Sequence, residues 1–186
     1  MDTAECVQRP RFWVSILSIA GTIAVNALSA TSTAAAEPVF KIAAMPPGIT
    51  APDLILEDFD GVIRSVEFQS RPTLVVFWAS WCPPCRKELP TLDEFQRSEH
   101  GDRIRIQTVS YAEPADVSAR FLAEIGVSTL NVLIDPQRSM AKDWRIGALP
   151  LAYLVDSQGK MAFQITGEVD WTSEIIQDLV VSLTSD

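Results

Sequence analysis

Residues 74–85 read LVVFWASWCPPC, an apolar run that ends in two cysteines separated by two prolines. A helix-like stretch follows over residues 86–97. A strand that ends in Cys-x-x-Cys at the start of a helix is typical of a dithiol redox site. The unpaired N–H groups and partial positive charge of a helix N-terminus favour a thiolate, which is the nucleophile in disulfide exchange. The pattern therefore predicts that Cys82 and Cys85 exchange disulfides.

The two prolines, Pro83 and Pro84, suit the first turn of a helix, where a missing N–H has no partner to lose. They also remove two donors that would otherwise stabilise the sulfur of Cys82. Only later amides, such as that of Cys85, are left for this role. We therefore expect the Cys82 thiol to be moderately, rather than extremely, acidic.

Two other interpretations of the cysteine pair are weaker. Half of a zinc site has this spacing, but the remaining Cys and His residues of the chain are Cys6, near the N-terminus, and His100, which cannot complete a four-ligand set. A purely structural disulfide is also open, although a bridge across so short a loop constrains the unfolded chain little. We expect neither a metal nor a cofactor.

The charge of the chain limits the partners that it can have. The 186 residues include 15 Lys and Arg against 24 Asp and Glu, which gives a net charge of −9. Such an acidic chain is repelled by the phosphate backbone, so nucleic acid is excluded as a partner. The length allows one domain with an appendage.

The N-terminal residues 1–36 have the pattern of a targeting segment. Two arginines precede an uncharged stretch, residues 12–36, which ends in three alanines. This pattern indicates a cleaved signal peptide, with an uncleaved membrane anchor as the alternative, because the apolar run approaches the ~20 residues that span a bilayer. Either way, we expect the body of the protein in the periplasm or another extracytoplasmic compartment, where disulfides persist.

The rest of the chain alternates strands and helices. Residues 37–52 are rich in proline and predict a linker or irregular arm, and residues 53–186 predict one domain. The predicted strands are 54–56, 62–66, 73–78, 104–110, 130–134, 152–155 and 161–166, and the predicted helices are 83–97, 115–125, 139–144 and 172–183. This order predicts an α/β fold with a mostly parallel central sheet covered on both faces.

Two segments resemble the signatures of a known family. Residues 77–90, FWASWCPPCRKELP, and residues 144–150, WRIGALP, are similar to those of the thioredoxin superfamily, and within it of the exported TlpA/ResA-like thiol-disulfide oxidoreductases. The resemblance extends from about residue 48 to the C-terminus. It implies a thioredoxin-like α/β fold, with a central mixed sheet flanked by helices, an N-terminal β-hairpin and a central βα insertion over residues 114–135.

The resemblance also implies roles for individual residues. Cys82 would be the exposed nucleophile and Cys85 the buried thiol that resolves the mixed disulfide. Pro150 would be a cis-proline that faces the cysteines, and Leu149 would offer its backbone groups to a bound peptide. Trp81 would shield the disulfide and pack against a partner.

Glu88 follows Cys85 by one helical turn. In the related reductases a carboxylate at this place tunes the titration of the cysteines, and the alternative is a solvated helix residue. The chain departs from the family pattern at two positions. Val76 stands where many thioredoxins have a buried Asp, and Ala152 replaces a hydroxyl residue that often follows the cis-proline.

The function implied by the resemblance is reduction of protein disulfides. The clients would be apocytochrome c or copper-assembly proteins, and a membrane thiol reductase would supply electrons. A disulfide oxidase or isomerase, and a Cu(I)-binding assembly module that uses the two cysteines as soft ligands, are the alternatives. A peroxidase is disfavoured because Val75 and Ala79 stand where peroxiredoxins have Pro and Thr or Ser.

Overall fold

The computed structural model describes residues 40–184, and the predicted targeting segment 1–36 lies outside this range. The described residues form strands β1 (Phe40–Ala44), β2 (Ile55–Glu57), β3 (Ile63–Ser65), β4 (Thr73–Trp78), β5 (Arg105–Tyr111), β6 (Val132–Asp135), β7 (Leu151–Val155) and β8 (Met161–Gly167), and helices α1 (Pro83–Gln96), α2 (Ala115–Glu124) and α3 (Glu174–Thr184). Within this range, none of the helices combines the length and the apolarity that a bilayer crossing requires.

The strands form one mixed sheet in the order β1-β8-β7-β4-β5-β6-β2-β3. Only the pairings of β4 with β5 and of β5 with β6 are parallel. The mixed sheet is confirmed, whereas the expectation of a mostly parallel sheet is wrong. The reason is that the β2–β3 and β7–β8 hairpins and β1 all add antiparallel neighbours.

Strand β4 is the centre of the fold, and all six of its residues are buried. Leu74, Val76 and Trp78 contribute to a core cluster that also holds side chains of all three α-helices. Val75 and Phe77 point to the second cluster, on the opposite face. Because burial of an apolar side chain of this size contributes roughly 1.5–3 kcal/mol to the stability of the fold, this strand stabilises the packing on both faces of the sheet.

The second face is covered by turns rather than by a helix. Residues 139–144, predicted as a short helix, form consecutive turns instead. Arg138 and Arg145, which flank this segment, have φ angles of 59° and 49°, in the left-handed region that interrupts a right-handed helix. Trp144 is nonetheless fully buried in the second cluster, so the turns still close the core.

The proline-rich arm contains a strand that was not predicted from the sequence. Residues 37–52 were predicted to be irregular, yet β1 pairs antiparallel with β8 from Phe40 to Ala44. The prolines at 38 and 46 flank this strand rather than interrupt it. β1 lies at the edge of the sheet, where one side of the backbone needs no partner and short strands are tolerated. The arm is therefore part of the sheet.

The predicted β2–β3 hairpin is confirmed, with Ile55 opposite Ser65. Its turn is fixed by Asp58, whose Oδ1 accepts hydrogen bonds from the amides of Asp60 and Val62 at 2.9 and 3.0 Å. Gly61 adopts a φ of 72°, which glycine reaches without steric cost. The hairpin forms the edge of the sheet beyond β6.

Candidate functional site

The cysteine pair lies just after β4, with Cys82 immediately before α1 and Cys85 in its first turn. Cys82 is the N-cap of α1, with extended φ and ψ angles of −95° and 105°, and the two prolines occupy the first helical positions. A disulfide joins Cys82 to Cys85, and their Cα atoms are 5.4 Å apart. The first amide of the helix that can donate is therefore that of Cys85, because Pro83 and Pro84 have no N–H.

The two sulfurs differ in their access to solvent. Cys82 is 4% exposed and Cys85 is fully buried. The expectation of an exposed Cys82 is therefore wrong for the disulfide-bonded protein, in which both cysteines belong to the first core cluster. The neighbouring Trp81 is 57% exposed instead. Of the pair, only Cys82 keeps any surface for an incoming thiol.

The peptide bond between Leu149 and Pro150 is cis. The next residue, Leu151, begins β7 and pairs antiparallel with Phe77 of β4. Continuing this register by one residue puts Pro150 opposite Trp78, the last residue of β4. The sheet therefore brings the second sequence motif to the strand end that carries the first.

Residues of both motifs line a groove of about 330 Å³. They are Trp81 of the first motif and residues 146–149, which precede the cis-proline, of the second. Tyr111, at the end of β5, and Arg138 complete the lining. An extended peptide laid in this groove would contact Trp81 and the backbone of Leu149 together.

Glu88 is a buried carboxyl group rather than a solvated helix residue. It is 2% exposed, and its Oε1 accepts a hydrogen bond of 2.9 Å from Nε1 of the fully buried Trp171. Its Oε2 has no hydrogen-bond partner among residues 40–184. Loss of hydration raises the pKa of Glu88 to about 8, although the Trp171 hydrogen bond opposes this shift. The group can therefore gain or lose a proton near neutral pH.

A second buried carboxylate, that of Glu113, holds the segment before the cysteines. Its oxygens accept hydrogen bonds from the amide and hydroxyl of Ser80, with amide distances of 3.0 and 3.1 Å. The hydroxyls of Ser110 and Ser118 donate to the same carboxylate at 2.9 and 3.1 Å. Glu113 is 4% exposed. These bonds fix the backbone two residues before Cys82.

Neither Glu113 nor Trp171 was predicted from the sequence as a functional residue. An acidic residue just after β5 was a usable signal for Glu113, because the ends of parallel neighbours β4 and β5 meet at one edge of the sheet. No signal pointed to Trp171, which reaches Glu88 from the loop before α3.

We expect that Glu113→Ala destabilises the oxidised protein by about 2–4 kcal/mol. The substitution leaves the amide and the hydroxyl of Ser80 without their acceptor, and each unsatisfied group costs about 1–3 kcal/mol. The Ser110 and Ser118 hydroxyls can still bond to each other and to the carbonyl of Pro114. Urea unfolding measures the effect, and amide exchange at Ser80 should become faster.

The matched control for this prediction is Glu124→Ala. Glu124 makes only an exposed ion pair with Arg86, at 2.9 Å, and pairs of this kind contribute little. Its urea midpoint should stay close to that of the unmodified protein. Equal midpoints for the Glu113 and Glu124 variants would contradict the role assigned to Glu113.

Comparison with known proteins identifies a set of relatives. Residues 47–164 match the AhpC/TSA family. The chain is 31% identical over 137 residues to the thiol-disulfide oxidoreductase ResA of Geobacillus thermodenitrificans, covering 73% of this chain and 77% of that protein. It is 33% identical over 116 residues to the thiol:disulfide interchange protein DsbE homolog of Paracoccus denitrificans, covering 61% of this chain and 62% of that protein.

Solved structures extend the comparison to the fold. A thiol:disulfide interchange protein of the thioredoxin family from Chlorobium tepidum matches with a TM-score of 0.61 at 21% sequence identity. The match covers 77% of this chain and all of that one. At this identity, the likeness establishes the fold alone.

Proposed function

The chain belongs to the AhpC/TSA family, has the predicted thioredoxin-like fold and is a thiol-disulfide oxidoreductase, and from this premise we propose that it is an exported reductase of protein disulfides. The observation that carries the proposal is the disulfide between Cys82 and Cys85 at the start of α1, next to Trp81, which lines a groove together with Leu149, the residue before the cis-proline. Leu149 and Trp81 would hold the client in this groove.

The reduction would proceed by two exchange steps. The Cys82 thiolate attacks one sulfur of the client disulfide, a mixed disulfide forms, and the other client sulfur leaves as a thiolate. The Cys85 thiolate then attacks the sulfur of Cys82 and releases the second client thiolate. Two electrons have passed to the client, whose two sulfurs take up protons, and the protein is left with its Cys82–Cys85 disulfide.

Glu88 would take part in the second step. A buried thiol is a poor nucleophile until it loses its proton, and Cys85 is fully buried. Glu88 lies one helical turn further along α1, and burial raises its pKa to about 8. Its ionised form is therefore a stronger base than an ordinary carboxylate and can accept a proton from the neighbouring thiol. We assign it this role as a proton acceptor for Cys85.

The prolines of the motif support the proposed direction of electron flow. A dithiol is a strong oxidant when its reduced, thiolate form is well stabilised. Here the first two helical positions after Cys82 have no N–H to stabilise its thiolate. The reduction potential of the pair would therefore be low enough for the dithiol to reduce a client disulfide. A membrane thiol reductase would then restore the dithiol.

Export and clients complete the proposal. Residues 1–36 would direct the chain across the membrane, either as a cleaved signal peptide or as an anchor, and residues 53–186 would form the working domain. The clients would be apocytochrome c or copper-assembly proteins, whose cysteines must be reduced before they bind haem or copper in an oxidising compartment.

Equilibration with a dithiothreitol buffer tests the direction. We expect a potential for the Cys82–Cys85 couple near or below the ~−270 mV of thioredoxin, and a value near the ~−120 mV of a strong oxidant would overturn the reductase assignment. Pro84→Ala is the informative variant, because it returns one N–H to the second helical position. It should raise the potential by about 30 mV, a tenfold change in the equilibrium constant.

A further inference from the structure

The Lys and Arg side chains that have no ion pair or hydrogen bond are concentrated in one segment of the described residues. Most Lys and Arg side chains in residues 40–184 make an ion pair or a hydrogen bond. The side chains without either within that range are Lys41, Arg103, Arg138, Lys142 and Arg145. Three of these five therefore fall within residues 138–145, the segment that leads to the cis-proline.

The acidic residues nearest in sequence do not neutralise this segment. Asp135 is 1% exposed, and its carboxylate is already occupied by the amides of Ser139 and Met140, at 2.7 and 3.0 Å, and by the Ser139 hydroxyl. Asp143 is the one acid within residues 138–145, against three cations. The segment therefore presents a local excess of positive charge on a chain whose net charge is −9.

Arg138 is the member of this group that reaches the groove. It lines the groove together with Trp81 and Leu149. Its backbone has a φ of 59°, and its amide donates to the carbonyl of Asp135 at 3.3 Å. Because the Asp135 carboxylate also holds the next two residues, the base of the Arg138 side chain is fixed. An exposed guanidinium is thus placed along the path of a bound client.

We propose that Arg138 selects client segments that carry a carboxylate close to the reacting cysteine. The guanidinium presents two parallel N–H donors that match the two oxygens of an Asp or Glu side chain. Lys142 adds to the positive charge of the segment, whereas Arg145 lines a different pocket together with Asp143. This inference rests on the proposed exchange with protein disulfides, and it names the chemistry of the client: an extended, acidic peptide whose disulfide lies over Cys82.

Synthetic peptide disulfides test this inference. Three peptides would differ only in the residue beside one cysteine, which is Glu, Ser or Lys, and their reduction by the reduced protein is followed under pseudo-first-order conditions at low ionic strength. We expect the Glu peptide to react about fivefold faster than the Ser peptide and the Lys peptide to react more slowly, the size of effect expected of an exposed pair. Added salt should diminish the difference.

The variants are chosen to respect the backbone at this position. Asn and Asp tolerate a left-handed φ, so Arg138→Asn removes the charge and Arg138→Asp reverses it without new strain. The first should abolish the preference and the second should invert it, whereas Arg138→Lys should retain most of it. Arg103→Asn is the matched control, because Arg103 is also unpaired within residues 40–184 but lies before β5, at the other end of the sheet.

The outcomes separate the inference from the function on which it rests. Equal rates for the three peptides, or an unchanged preference in Arg138→Asp, overturn the role of Arg138 while leaving disulfide reduction intact. Failure to reduce even the Ser peptide overturns the proposed function itself. A similar loss of preference in Arg103→Asn assigns the effect to overall charge and overturns the specific role of Arg138.

Discussion

Replacing Cys82 with serine is expected to reduce the rate of disulfide exchange to that of the uncatalysed reaction. The serine hydroxyl is not ionised at neutral pH and cannot form the mixed disulfide. Loss of a covalent nucleophile costs on the order of 10³–10⁶-fold in other enzymes. The measurement is the second-order rate constant for reduction of a peptide disulfide, with the reduced protein and the reduced Cys82→Ser variant compared at equal concentration.

Cys85→Ser should behave differently, because Cys85 acts only in the second step. Its Cys82 thiolate can still attack, so the variant should accumulate a mixed disulfide with the client, seen as an adduct of the summed mass that a reductant releases. The asymmetry follows from burial, since Cys85 is fully enclosed while Cys82 retains 4% exposure. Adducts in equal amount on the Cys82→Ser variant would contradict the assignment of nucleophile and resolving thiol.

Cys6→Ser is the matched control for both substitutions. Cys6 is the remaining cysteine of the chain, and it belongs to the segment predicted for targeting. The rate and the adduct yield should be the same as in the unmodified protein. A large loss of activity in this variant would mean that a thiol outside the pair takes part.

The features that the sequence predicted well are those encoded over a few neighbouring residues. Strand β4 has the bounds that were predicted, 73–78, because an uninterrupted apolar run suits a strand buried on both faces. Helix α1 begins at the predicted Pro83, since prolines are accepted in a first helical turn. The positions of the two cysteines relative to the helix follow directly from these two elements.

The features that were missed depend on contacts between distant parts of the chain. Whether Glu88 is solvated or buried is decided by Trp171, which covers it from the loop before α3. Whether Glu113 is a surface acid or an anchor is decided by Ser80, across the β4–β5 boundary. The local sequence shows only a glutamate in both cases, and the tertiary fold decides whether that glutamate is buried or exposed.

The wrong prediction of a helix at 139–144 has a different cause. The sequence there suits a helix, but the segment lies between Arg138 and Arg145, whose φ angles of 59° and 49° are left-handed. A right-handed helix cannot continue through either residue, so too few residues are left for a regular helix. Arg138, at the start of this segment, lines the groove. The segment whose secondary structure was wrongly predicted is thus the one to which we assign client selection.

Titration of Glu88 is expected to make the oxidised protein less stable as pH rises. Burial raises the pKa of Glu88 from 4.5 to about 8, so between these values the folded protein holds a proton that the unfolded chain has lost. Unfolding then releases a proton, and stability falls by about 1.4 kcal/mol per pH unit, or up to about 5 kcal/mol over the whole window. The contribution is complete below pH 4.5 and is lost above pH 8. Because the cysteines are joined in a disulfide, they do not titrate in this experiment.

Glu88→Gln should flatten this dependence between pH 5 and pH 8, as measured by urea unfolding at several pH values. The amide can still accept the Trp171 hydrogen bond, but its buried NH₂ group lacks a partner, which costs about 1–3 kcal/mol at every pH. The variant should therefore be less stable than the unmodified protein at pH 5 and equal or more stable at pH 8. Glu94→Gln, an exposed position on the same helix, should keep the original slope. Parallel slopes for the Glu88 variant and the unmodified protein would show that the pKa of Glu88 is not raised, and would leave its carboxylate too weak a base for the role assigned to it with Cys85.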